Sequence, residues 1–307
     1  MYASISHFNA IAGRRAAGTV DSSVWHVRAA MRSAIPPLIP PTLAYLDKRR
    51  QHVHKSVCYN GSGQMLDIWR GQNQRPNAPV LIWVPGGAWV SGSRMTFQGH
   101  ALMSRMVKRG WVCLSIDYRV APWYRWPCQL EDVRAAVDWA RNNIADFAGD
   151  PDFVAIAGAS AGGHLATLTG LLDGADAVVS VYGSYDWESR STLWRKLFME
   201  YLERVVVGKR SDLCPEVFCE ASPMAQVHPG APPTMIVHGT KDRLIPIDEA
   251  RSFHRELRSV SRSTVRYLEL PVGHAFDVLD ARRCAEANRA IAEFLDQVWA
   301  ARGQAVA

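Results

Sequence analysis

One serine in this 307-residue chain is flanked by small residues on both sides, in Gly158-Ala159-Ser160-Ala161-Gly162-Gly163. Gly-x-Ser-x-Gly is weak evidence by itself, because glycine and serine are common. Its surroundings add to it. The apolar run Phe153–Ala157 leads directly into the turn, and a helical pattern opens directly after it. A strand that turns sharply into a helix needs small neighbours, and it pushes the serine hydroxyl out at the strand's carboxyl end. The next backbone N–H, that of Ala161, then faces any negative charge developing on an attacked carbonyl.

A hydroxyl is a poor nucleophile without a base to take its proton. Two later positions supply a base and an acid in the order nucleophile, acid, histidine. Asp242 follows the apolar run Thr234–His238, and His274 follows Val265–Leu270. The separations are 82 and 32 residues, each long enough for intervening strands and helices. Ser160 would attack, His274 would move the proton, and Asp242 would orient and support the imidazolium. His238 is the rival base, but it ends a strand four residues before Asp242 and reads as structural. Upstream, Pro85-Gly86-Gly87-Ala88-Trp89 closes another apolar run; adjacent glycines leave backbone N–H groups unobstructed for an oxyanion. Gly86, Gly87 and Ala161 are the donors this reading expects.

These sites need a scaffold that brings strand ends together. His52–Tyr59 and Gln64–Arg70 read as two strands joined by Asn60-Gly61-Ser62-Gly63. Six further runs follow, at 78–84, 111–116, 153–157, 177–182, 234–238 and 265–270. Nearly continuous apolar strands are expected where helices cover both faces of a parallel sheet. Helical periodicity at 100–108, 129–147, 162–172, 247–260 and 281–301 supplies those helices, with Asp277 and Asp280 as candidate caps of the last. The pattern predicts an α/β fold with a mostly parallel eight-stranded sheet.

Two segments stand apart. Residues 1–50 hold a helical pattern at 22–32, the pairs Pro36-Pro37 and Pro40-Pro41, and a short helix over 42–50. Residues 184–226 are too long for a plain connection and are rich in Trp, Phe, Met and Tyr. An insertion lying over a pocket is expected there. The domain reading is an arm or cap over 1–50, a core over 51–303 and a cap insertion over 184–226.

Composition narrows the classes. The chain is 48% hydrophobic and 21% charged, ordinary for a soluble globular protein. Its net charge of +6 is scattered, without zinc-finger spacing or a basic region running into heptads, so nucleic acid is not an expected partner. Six widely spaced cysteines do not describe a disulfide scaffold, and only Cys214 and Cys219 are close enough in sequence to suggest a bridge. No histidine pair has metal-ligand spacing, so no metal or cofactor is expected. The start lacks a basic region followed by an apolar core, and no run is long enough to span a membrane. The expectation is a cytoplasmic protein without stable membrane insertion; a homodimer is compatible with it.

From residue 51 to about 300 the sequence resembles the hormone-sensitive-lipase-like branch of the α/β-hydrolases, which includes many bacterial carboxylesterases. The resemblance rests on the glycine loop, the Ser160 turn, Asp117-Tyr118-Arg119 with Ala121-Pro122, Pro127 with Asp132, and Asp150-Pro151. It departs at Pro85, where the family has histidine, and at Ala88, where it has a third glycine. The resemblance implies a serine carboxylesterase for short- to medium-chain acyl esters. It also implies a cap whose side chains line an apolar acyl pocket, with Trp89, Trp187, Leu197, Phe198 and Met199 as candidates. Arylformamidases of the kynurenine-formamide type share a related core and glycine loop and form the alternative reading. A serine peptidase lacks support from any gating domain. A ligand-binding protein on a disabled hydrolase fold is disfavoured by the intact His274.

Overall fold

The structure is a computed structural model, and it describes residues 43–190 and 192–305. The expected helix over 22–32 and most of the expected arm lie outside the described residues. The first described helix is α1 (Leu43–His52), matching the short helix expected over 42–50.

Eight strands form one sheet: β1 (Val53–Cys58), β2 (Met65–Trp69), β3 (Ala78–Val84), β4 (Val112–Ile116), β5 (Gly149–Ala159), β6 (Ala177–Val181), β7 (Thr234–Gly239) and β8 (Val265–Leu270). Their spatial order is β1-β2-β4-β3-β5-β6-β7-β8. β1 and β2 pair antiparallel, as do β2 and β4; every later pairing is parallel. Parallel neighbours need crossovers. These are α2 (His100–Lys108), α3 (Cys128–Asn143), α4 (Ala161–Asp173), the helices α5 (Leu193–Tyr201) and α6 (Pro215–Glu220) between β6 and β7, and α7 (Ile247–Val260). A short α8 (Phe276–Leu279) and a long α9 (Ala281–Ala305) close the chain.

The continuous apolar strands have the expected cause. Along β3, Val80, Ile82 and Val84 enter the core shared with α3 and α4, while Leu81 and Trp83 enter the opposite core shared with α2 and α9. Both faces are covered, so alternation disappears from the sequence. β1, at the edge, is mostly exposed and carries Lys55, which discourages pairing with another edge.

Between residues 184 and 226, α5 and α6 and short helical turns at 202–207 and 223–226 carry much of the described segment. The Thr192 side chain caps α5 by accepting from the Arg195 N–H at 3.2 Å. A π-helical turn at Leu202–Val207 extends α5. Phe198, Met199, Tyr201, Leu202, Val206 and Phe218 join the core that contains Trp89 and α4. Ordering so long a segment is offset by this burial. Asp280 caps α9 through the Arg283 N–H, whereas Asp277 bonds to Tyr182 instead of capping α9. All six cysteines are free, Cys214 and Cys219 included. Among the described residues, no helix is long and apolar enough to cross a membrane.

Candidate active site

β5 delivers Ser160 to a turn with no spare room. A Cβ on Gly158 would lie 2.2 Å from the Gly162 carbonyl oxygen, and one on Gly162 would lie 2.1 Å from that of Val84. Glycine at both positions lets β5, α4 and β3 touch backbone to backbone. Ser160 pays for this closeness with φ +55°, a left-handed backbone that costs a non-glycine residue about 1–3 kcal/mol. Its N–H donates to the Val181 carbonyl at 2.9 Å, which holds the turn against β6.

The three sequence-predicted residues come together. His274 Nε2 lies 2.9 Å from Ser160 Oγ, and His274 Nδ1 lies 2.7 Å from Asp242 Oδ2. An ionised carboxylate only accepts, so Nδ1 carries the proton and Nε2 is free to accept from the serine hydroxyl. The other Asp242 oxygen accepts from the N–H groups of Leu244 and Ile245, each at 2.9 Å. Burial is the largest influence on the Asp242 carboxyl and opposes its charge. The imidazole contact, His238 and the Ile245 N–H together outweigh burial and hold this carboxyl below the usual range. His238 is fully buried, donates from Nε2 to the Ile245 carbonyl at 2.9 Å, and is pushed down by burial. It stays neutral and braces the Asp242 loop, as its strand-end position suggested.

The oxyanion loop departs from expectation at one donor. The Gly86 N–H donates to Gln98 Oε1 at 2.7 Å, so it is engaged within the protein. Ala161, at the first position of α4, has an N–H with no partner inside the helix. Gly87, at φ +144°, and Ala88, at φ +53°, carry the adjacent N–H groups, and neither donates to any described residue. Three side chains fix this loop. Gln98 holds Gly86, Tyr118 donates to the Pro85 carbonyl at 2.9 Å, and Tyr201 of α5 donates to the Ala88 carbonyl. Pro85 can still accept there although it has no N–H. Asp117-Tyr118-Arg119 thus acquires physical meaning: Asp117 pairs with Arg94, Tyr118 holds the loop, and Arg119 pairs with Asp132.

The pocket candidates are mostly core. Trp89, Trp187 and Met199 are at most 2% exposed and Phe198 is 8% exposed; only Leu197 is half-buried. Trp187 stacks on His164 at 4.5 Å with planes 7° apart, and Trp89 meets Trp187 edge-on at 5.0 Å. These rings form a packed layer behind the oxyanion loop, where an open lining was expected. His164 is the hub of that layer and was not singled out in the sequence. It accepts from Trp89 Nε1 at 3.3 Å and donates to the Ala221 carbonyl at 2.7 Å. Burial pushes it down to about 3, so it is a neutral packing residue. Among the described residues, no group of three or more His, Cys, Asp or Glu could hold a metal ion.

A serine, an imidazole and a carboxylate bonded in series at the carboxyl ends of a mostly parallel sheet define a serine hydrolase of the α/β-hydrolase class. The BD-FAE family model matches residues 66–257, and the chain belongs to that family. The matched family is BD-FAE, not the hormone-sensitive-lipase-like branch that the motifs resembled. Esterase LipC of Mycobacterium tuberculosis is 50% identical over 287 residues, covering 88% of this chain and 71% of the relative. Esterase LipQ of the same organism is 38% identical over 304 residues, covering 91% of this chain and 71% of the relative. Among solved structures, a Pyrobaculum calidifontis esterase superposes with TM-score 0.69 at 21% identity, covering 92% of this chain and 94% of its own. That likeness speaks for the fold.

Proposed function

We propose that the chain is a carboxylesterase for short- to medium-chain acyl esters, working through an acyl-serine intermediate. The observation that carries this reading is the unbroken hydrogen-bond series from Ser160 through His274 to Asp242, at 2.9 and 2.7 Å. Ser160 Oγ attacks the ester carbonyl as its proton passes to His274 Nε2. Asp242 keeps Nδ1 protonated and supports the imidazolium. The carbonyl oxygen becomes an oxyanion, received by the N–H groups of Gly87, Ala88 and Ala161. Gly86, first expected as a donor, serves by anchoring the loop to Gln98. His274 returns its proton to the leaving alkoxide, and water cleaves the acyl-serine by the same steps in reverse.

The domain reading stays with this proposal: a core over 51–303, preceded by an arm, with 184–226 as a cap insertion. The support for a cap is Tyr201, which reaches from α5 to the Ala88 carbonyl. The packed layer of Trp89, Trp187 and Phe198 limits acyl length as a wall, and Leu197 is the candidate with surface left to meet substrate. Kinship with the hormone-sensitive-lipase-like branch rests on the glycine loop and the Asp117-Tyr118-Arg119 segment.

The test is hydrolysis of chromogenic acetyl, butyryl and octanoyl esters beside aryl formamides. Acetyl and butyryl esters are expected to turn over fastest. Ser160→Ala is expected to lower turnover by about four orders of magnitude or more. Full turnover in purified Ser160→Ala, or a preference for the formamide, refutes the proposal.

A further inference from the structure

The triad uses one carboxylate beside His274, but a second is built into the same corner. Tyr182, the residue after β6, has φ +40°, a left-handed backbone unusual for an aromatic residue. Its N–H donates to the Val237 carbonyl at 2.7 Å, and its ring is fully buried. That ring lies 4.7 Å from the His274 imidazole and 5.4 Å from Phe276. Its hydroxyl donates to Asp277 Oδ1. Asp277 Oδ2 is shielded from solvent and has no partner among the described residues. Asp277 could have capped a helix; instead it is turned toward the back of the site.

The charged and titratable groups facing Asp277 come from three elements. Tyr182 comes from the residue after β6, His274 from the loop after β8 and Cys284 from α9, while Asp242, from the loop after β7, acts on Tyr182. Lys48 and Arg105 act on the Cys284 thiol. Burial pushes the Asp277 carboxyl up to about 6, while Tyr182 and His274 pull the other way. Asp277 therefore changes charge close to the pH at which an imidazole base is titrated.

Resting on the esterase reading, we propose that Tyr182 and Asp277 are positioning residues for His274. The Tyr182 ring walls the imidazole on one side, and its hydroxyl anchors a second carboxylate whose charge supports the imidazolium formed during attack. Asp242 fixes the tautomer through a direct hydrogen bond, whereas Asp277 acts through space. Loss of the Asp277 charge in mild acid removes that support, so the ionisation of Asp277 adds to the acid side of the rate profile.

The experiment is the pH dependence of kcat/KM for an acetyl ester, in wild type, Asp277→Asn, Tyr182→Phe and the double variant. Asp277→Asn is expected to move the midpoint of the acid limb to lower pH by roughly half a unit or more, and to reduce its steepness to one proton. Tyr182→Phe keeps the ring and loses the anchor, so it shifts the limb the same way. The double variant is expected to shift no further than Asp277→Asn. A merely structural role would scale the rate equally at every pH. A midpoint and slope unchanged in Asp277→Asn overturn the proposal; should that variant not fold, an unchanged Tyr182→Phe profile overturns it instead. Labelling of Ser160 by a fluorophosphonate separates the two readings. A labelled enzyme with an unshifted limb sinks only the positioning role, while an unlabelled wild type sinks the esterase reading and this proposal with it.

Discussion

Arg195 of α5 and Glu249 of α7 tie the segment between β6 and β7 to the sheet, and replacing Arg195 tests that tie. Arg195 Nη1 lies 2.7 Å from Glu249 Oε2, with the two side chains only 5% and 6% exposed. The guanidinium also donates to the Asp186 carbonyl and lies over Phe198 at 5.1 Å. The other Glu249 oxygen accepts from the N–H groups of Tyr185 and Asp186 and from Ser184 Oγ, at 2.6, 3.0 and 3.1 Å. Arg195→Met keeps the apolar stem but strands the carboxylate. Removing one partner of a buried pair costs about 3–5 kcal/mol. The three surviving hydrogen bonds reduce this, so the expected loss at pH 8 is about 2–3 kcal/mol, or roughly 4–12 °C in Tm. Burial already pushes the Glu249 carboxyl up against the pull of Arg195, and without Arg195 it rises further. The native variant then takes up a proton at higher pH than the unfolded chain does, so its deficit shrinks as pH falls. The assay is urea unfolding of Arg195→Met, Glu249→Gln and the double variant at pH 8 and 5.5, read as a double-mutant cycle. A loss below about 0.5 kcal/mol at pH 8, or a larger loss at pH 5.5, refutes the reasoning.

Two further outcomes can be checked. Burial holds His164 down to about 3 and His100 down to about 4. In acid the unfolded chain binds protons at these positions before the native one does. Their contribution to stability is complete above pH ~6.5 and falls by about 1.4 kcal/mol per pH unit for each histidine between roughly pH 6 and 4. Unfolding titrations across that range should show a shallower decline in His100→Gln than in wild type, and parallel declines would contradict the assignment. Gln98→Met removes the acceptor of the Gly86 N–H; it should lower kcat about tenfold with KM changed less than about threefold, while Gln98→Glu retains most activity. Wild-type kcat in Gln98→Met would remove Gln98 from the oxyanion loop's support.

Much of the scaffold was legible because burial on both faces writes itself into composition. The apolar run at 78–84 coincides with β3, and the run at 234–238 falls within β7. The three residues of the series were legible because each follows such a run in a fixed order. What escaped depends on side chains that meet only after folding. Gln98 carries no periodic signal, yet it engages the Gly86 N–H twelve residues earlier. His164 reads as one more residue of α4, though it links Trp89, Trp187 and Ala221. Arg195 and Glu249 carry no motif that pairs them across the sequence, and Asp277 reads as a helix cap. The aromatic residues after β6 stand out in composition, but composition could not say whether they would line a space or fill one; here they fill one.

Ser160, Asp242 and His274 follow three different strands, β5, β7 and β8, and the loop beside them follows a fourth, β3. The site residues therefore span the chain from Gly86 to His274, and no short contiguous stretch contains them all. A nascent or nicked chain that has built its helices and the centre of its sheet still lacks His274 until the β8 edge is docked. Ester turnover is consequently a sensor of structural completeness: it reports closure of the sheet's far edge, an event to which helix content measured by spectroscopy is nearly blind.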